Sequence, residues 1–122
     1  MKITDVKASI HRVPVEVPLL KEKIVTPIVF TTVETDAGIT GYGLTRGGQR
    51  FGMKEFINRE VAPFLRGKNP LETERVWHDL LKQFNARVQT GMWSSAVSTI
   101  DIALWDIKGK HYKEPVWRLL GG

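Results

Sequence analysis

A single switch in hydrophobic period, at Gly47-Gly48, divides this chain into a strand-forming part and a helix-forming part. Before it, apolar residues recur every second position; after it, they recur at steps of three and four. One run of strands followed by one run of helices predicts an α+β fold, and it excludes the repeated strand–helix–strand units of a parallel sheet.

In the strand-forming part, Val6, Ala8 and Ile10 alternate with Lys7, Ser9 and His11, the pattern of a half-buried strand. A second strand runs from Ile28 to Thr35, rich in β-branched residues. Thr35-Asp36-Ala37-Gly38 reads as a hairpin loop, with Asp36 bonding its own backbone two residues on and Gly38 taking positive φ. Ile39 to Leu44 returns as the third strand of an antiparallel meander. Gly41 and Gly43 fall on one face of it and leave that side bare for a close neighbour. Val15 to Pro27 carries Pro18, Pro27 and the charged Lys21-Glu22-Lys23, with Pro14 just before it, and reads as a long loop between the first two strands.

Three helices follow. Phe51, Phe56, Ile57, Val61, Phe64 and Leu65 mark the first, with Pro63 near its end and Gly67 just beyond. Asn69 and Pro70 read as N-cap and first residue of the second, which buries Leu71, Val76, Leu80, Leu81 and Phe84. Trp93, Val97, Ile100, Leu104 and Ile107 form one continuous stripe on the third, stopped by Glu114-Pro115. The domain map is therefore a sheet with a long first loop over 1–46 and a helical bundle over 50–122. No internal repeat or low-complexity segment interrupts it.

The chain has 122 residues, enough to bury a core without staples. It has no cysteine, which excludes disulfide scaffolds, thiolate metal sites and cysteine nucleophiles. No apolar run approaches the ~20 residues of a membrane span, and Met1–Asp5 lacks the apolar core of a secretory signal, so a cytoplasmic location is expected. Eighteen Lys and Arg against thirteen Asp and Glu leave a net charge of +5, compatible with an anionic partner. The runner-up function on charge alone is a free-standing basic module for nucleic acid or another anion.

The residues offer no catalytic constellation by spacing. Gly41, Gly43, Gly47 and Gly48 miss a dinucleotide fingerprint, because Arg46 stands where its third glycine belongs, and no Gly-Lys-Ser/Thr follows. Gly41-Tyr42-Gly43 lacks the basic and second aromatic residues of an RNA-binding strand. His11, His78 and His111 are scattered without metal-ligand spacing. Asp101 and Asp106 lie about 140° apart around a helix, which favours structural roles. Ser94, Ser95 and Ser98 have no nucleophile elbow around them. Two cation-bearing loops remain, Val15–Pro27 and Thr45–Arg50. The apolar end Val116-Trp117-Arg118-Leu119-Leu120, with Trp105 off the main stripe, reads as a surface built to dock on a second domain or partner.

The run from Ser95 through Ile100-Asp101-Ile102-Ala103-Leu104-Trp105-Asp106 to Lys110, followed by Pro115-Val116 and Leu119-Leu120-Gly121-Gly122, closely resembles the mandelate racemase/muconate lactonizing enzyme branch of the enolase superfamily. Thr35–Ile39 with Gly41-Tyr42-Gly43, and Ala62-Pro63 with Pro70-Leu71-Glu72, are similar to other parts of the same N-terminal domain. The resemblance implies a capping domain that lies across the mouth of a (β/α) barrel of the same enzyme. In that family the barrel carries the bases and the magnesium ligands for removing a proton α to a carboxylate. On that reading this chain holds no cofactor and no catalytic residue, magnesium belongs to the missing barrel, and the chain alone is inert.

The resemblance further implies that the loops after the first and third strands close over the substrate. Lys21, Lys23, Arg46 and Arg50 are the resulting candidates for holding a carboxylate-bearing small molecule. A polar, basic lid fits an acid-sugar dehydratase better than a racemase of apolar substrates, although Leu44 stands where many members carry Glu. The parent enzyme is expected to be a homo-oligomer, without membrane or nucleic-acid partners.

Overall fold

A computed structural model describes residues 1–84 and 90–122. Strands β1 (Ile3–Val17), β2 (Glu22–Thr35) and β3 (Thr40–Arg46) form an antiparallel sheet in the order β1-β2-β3. Helices α1 (Arg50–Phe56), α2 (Ala62–Leu65), α3 (Thr73–Phe84), α4 (Gly91–Tyr112) and the short α5 (Val116–Leu119) follow. The expected α+β order of a three-stranded meander and then a helical bundle is the order observed.

The core lies between one sheet face and the helices. Val6, Ala8, Val29 and Val33 are buried on the sheet side, and Met53, Ile57, Val61, Leu65, Val76 and Leu80 on the helix side. Helix α4 runs between them and buries Trp93, Val97, Ile100, Leu104 and Ile107, the expected stripe, together with Ala96, Thr99 and Ala103. Bare glycines let it settle directly on β3. A Cβ on Gly41 would overlap the carbonyl oxygen of Ala103, and one on Gly43 that of Thr99. Thr99 donates its hydroxyl to Thr31 Oγ1 at 3.2 Å in this buried seam.

The segment expected as a loop, Val15–Pro27, is instead ladder. Val13 pairs with Thr26, Val15 with Ile24 and Val17 with Glu22, so β1 and β2 continue as a two-stranded arm closed by a turn at 18–21. The prolines misled because each sits where no donor is needed. Ala8 directs its N–H away from β2, to Asn58, and the two-residue repeat puts the nitrogen of Pro14 on that same outer edge. Pro27 lies opposite Arg12, beyond the last β2–β3 pair, Ile28–Arg46, and accepts the Gly47 N–H at 2.8 Å.

Other details differ locally. Asp36 accepts the Lys2 N–H at 2.8 Å rather than a bond from its own loop, while the Thr35 hydroxyl spans the turn to Ile39. Gly38 does take positive φ, +74°. Helix α1 continues through a π-helical turn, Ile57–Val61, into α2, and Phe51 is 67% exposed while Met53 takes the inward position. Helix α3 begins at Thr73, because Asn69 Oδ1 accepts the Leu71 N–H and closes a separate turn first. Leu71, Leu81 and Phe84, expected to be buried, are only partly so and pack against the core margin.

Edge strand β1 is sealed without another strand. Asn58, in the π-helical turn, accepts the Ala8 N–H at 2.7 Å and donates to the Ala8 carbonyl at 3.0 Å. Ile3 exchanges backbone bonds with Gly67 and Lys68. These contacts occupy donors and acceptors that would otherwise template aggregation.

Candidate functional site

The 47–50 turn is shaped by its contact with the arm. A Cβ on Gly47 would lie 2.5 Å from the Pro27 carbonyl oxygen, so only glycine fits there. Gln49 adopts φ +51° at the start of α1, a left-handed conformation that costs about 1 kcal/mol for a residue other than glycine. Strain of this kind gathers where a loop must hold a particular shape.

Beside this turn lies an open cleft of about 530 Å³. Thr45 and Arg46 line it from the end of β3, Gln49 and Met53 from the turn and α1, and Ser94 and Ser95 from the first turn of α4. Arg46 and two serines thus border one space, beside the N-terminal end of a 22-residue helix whose dipole favours negative charge. Its chemistry suits a polar anion. Ser94 and Ser95 carried no signal in the sequence beyond helix-start propensity, and only the crossing of α4 over β3 brings them to Arg46.

The four candidate cations do not form one cluster. Arg50 folds back on its own turn, its Nη1 donating to the Gly47 carbonyl at 3.4 Å and its Cζ lying 4.8 Å from the centre of the Phe51 ring. Lys21 sits in the turn of the arm at φ +48°. Lys23 pairs with Glu16 at 3.4 Å, and both side chains are largely exposed, so the pair adds little stability. Ile28 faces Arg46 across the ladder, and Lys23 lies five residues further out, about 17 Å of strand. The site therefore has two stations, the cleft at Arg46 and the tip of the arm. That tip is apolar as well as basic, with Leu19 almost bare and Leu20 exposed beside it.

The remaining charged candidates have structural surroundings. Asp106 accepts the Tyr42 N–H at 2.9 Å and a bond from Lys110 at 2.6 Å, tying α4 to β3. His11 is paired with Ser9 and lies edge-on to Phe30. Among the described residues no three His, Asp or Glu side chains converge to hold a metal ion. Among them, too, no helix is long and apolar enough to cross a membrane.

An antiparallel meander capped by a glycine-seated α4, with the cleft at one end, is the frame of this domain. Residues 1–121 match the family described as mandelate racemase / muconate lactonizing enzyme, N-terminal domain, and the chain belongs to that family. D-galactarolactone cycloisomerase of Agrobacterium fabrum is 34% identical over the whole chain, which covers 32% of that protein. A D-galactonate dehydratase family member of Salmonella virchow is 37% identical over the whole chain and 27% of its own length. A solved racemase from Streptomyces coelicolor with bound magnesium superposes with a TM-score of 0.83 at 25% identity, over 98% of this chain and 35% of that one. The chain spans about a third of the relatives it matches.

Proposed function

We propose that this chain is the specificity cap of a magnesium-dependent enzyme that abstracts a proton α to the carboxylate of a sugar acid. The observation that carries the reading is the cleft in which Arg46 meets Ser94 and Ser95. A planar guanidinium can bind both oxygens of a carboxylate, and the serines can bond the hydroxyls of a sugar chain. Two relatives named for galactarolactone and galactonate chemistry support the substrate class.

In this reading Arg46 is the residue that touches substrate, and Arg50 holds the 47–50 turn in shape. Lys21 and Lys23 ride on the arm, which closes toward the substrate and keeps water out. The base, the magnesium ligands and the choice between dehydration, cycloisomerisation and racemisation belong to a barrel domain following this one, in a homo-oligomeric enzyme.

The test is steady-state kinetics of the enzyme carrying both domains, with magnesium and a panel of sugar acids. Arg46→Ala is expected to lower kcat/KM at least ~30-fold, the loss of one charge-assisted hydrogen bond to the substrate carboxylate. Lys23→Ala, which removes only a surface pair, is expected to change it less than ~3-fold. Equal, small effects of both would remove the cleft from the substrate path.

A further inference from the structure

The face of the sheet turned away from the helices is apolar, where an antiparallel sheet packed on one side ordinarily presents polar residues to water. The pairings Ser9–Phe30, Phe30–Leu44 and His11–Ile28 put Leu44, Phe30 and Ile28 on this outer face. The pairs Val13–Thr26 and Val15–Ile24 carry the same face onto the arm. Phe30 stacks on Tyr42 at 5.7 Å and meets His11 edge-on, so the rings form one layer with the aliphatic side chains. Leu44, Ile24 and Val15 are 54%, 44% and 37% exposed. The result is one strip along the sheet, roughly 33 Å from the row of Lys7 to the row of Val17.

The opposite face of the arm has a different character. Arg12, Glu16 and Lys23 lie on it, with Glu16 paired to Lys23, and this is the face that continues the helix side of the sheet. Both edges of the arm are blunted as well. Pro14 removes a donor from the outer edge of β1, and Pro27 removes one from β2 where it runs on past β3. A partner strand gains little at either edge, so the strip is met face to face. Its two ends differ in charge: Lys7 stands in the first row, opposite Thr32, and Glu22 in the last, opposite Val17. Among the described residues neither has an ion-pair partner.

We infer that this strip is the contact between two copies of the chain, packed sheet on sheet about a two-fold axis that runs across the strands. The inference deepens the homo-oligomer of the reading above and rests on that part of it. Such an axis reverses the strand direction, so the Lys7 end of each copy lies over the Glu22 end of the other and both charges find a partner twice. The charges then rim an apolar centre, the ordinary anatomy of an interface. From the exposures above, covering the strip and its rim in both copies buries on the order of 1,200 Å², at the lower end of specific interfaces. Other occupants fit less well. A sugar acid finds no cluster of donors in the apolar centre. In the relatives the rest of the enzyme follows α5, and α5 packs on α4, on the helix side of the sheet.

Sedimentation of the enzyme carrying both domains, over a dilution series, tests it. The parent is expected to hold an even number of copies. Leu44→Glu and Ile24→Glu, both at exposed positions, are each expected to raise the dissociation constant at least ~30-fold and to halve the mass, with far-UV circular dichroism unchanged. Val25→Glu, on the other face of the arm, is expected to leave the mass alone. Lys7→Glu and Glu22→Lys are each expected to weaken association about 5-fold, and the double change to restore it.

A parent that stays monomeric at every concentration overturns the interface and the homo-oligomer together, while the sugar-acid cap stands or falls on the Arg46→Ala kinetics. An oligomer whose mass Leu44→Glu and Ile24→Glu leave unchanged overturns the interface alone. Dissociation by Val25→Glu as strong as by Ile24→Glu moves the contact to the other face of the arm and overturns it too. A double Lys7→Glu/Glu22→Lys protein that associates no better than either single variant overturns the two-fold arrangement.

Discussion

Gly43 on β3 and Thr99 on α4 meet backbone to backbone, so that any side chain on the glycine would occupy the space of the Thr99 carbonyl. Neither partner can retreat easily, because β3 is laddered to β2 and α4 is packed on its other side by the helical core. Gly43→Ala and Gly41→Ala are therefore each expected to cost about 3 kcal/mol in urea denaturation, at the upper end of overpacking penalties. Gly48→Ala is the control. A Cβ there meets nothing within 4 Å, and its effect is expected to stay within ~0.5 kcal/mol.

The same seam contains the buried hydroxyl pair Thr31–Thr99. Replacing one threonine by valine leaves the other hydroxyl without its partner, so each single change is expected to cost roughly 1–2 kcal/mol. The double change Thr31→Val/Thr99→Val removes both polar groups at once. Its cost is expected to be smaller than the sum of the singles, and strict additivity in a double-mutant cycle would show that the hydroxyls do not depend on each other.

How much of this was legible depends on whether the cause was local. The switch of period at Gly47-Gly48, the stripe on α4 and the bareness of Gly41 and Gly43 are properties of spacing, and they translate directly into the sheet, the helix and their contact. The arm was not legible, because a proline in a strand is a breaker only if its nitrogen faces a partner. That depends on strand order and register, which tertiary structure decides. The cleft was half legible. Arg46 could be named from its position after β3, whereas Ser94 and Ser95 reach it only through the crossing of α4, about fifty residues later in the chain.

Asn58 illustrates the same limit and carries a prediction. In sequence it is one polar residue within a helical pattern; in the fold it pairs with both backbone groups of Ala8 on the edge of the sheet. Asn58→Ala leaves that N–H and carbonyl part-buried without partners, and about 2 kcal/mol of stability is expected to go with them. Asn58→Asp keeps the acceptor but cannot donate to the carbonyl, so it is expected to fall between. Hydrogen exchange at the Ala8 amide reads the lost bond directly, and unchanged protection in Asn58→Ala would deny the seal.

Two carboxylates give the acid limb of stability opposite contributions. Asp79 accepts a bond from Lys68 at 2.8 Å, and this hydrogen bond, followed by the charges of Lys68, Arg75 and Lys82, outweighs desolvation and holds its carboxyl below the ordinary 3.8. The stability it lends is fully present above that value and is lost as pH falls through the lower, folded one. Burial raises the carboxyl of Asp101 instead, so the folded chain keeps that proton to higher pH than the unfolded chain does. Its charged form opposes folding at neutral pH, and the opposition fades as pH falls toward the ordinary value. In residues 1–122, Lys68→Met is therefore expected to lower the urea midpoint at neutral pH and to match the parent once both states are protonated, below the folded value of Asp79. Asp101→Asn is expected to raise the midpoint at neutral pH and to lose that advantage by about pH 3. Parallel pH profiles for parent and Asp101→Asn would mean that a cation already faces Asp101 within the folded chain.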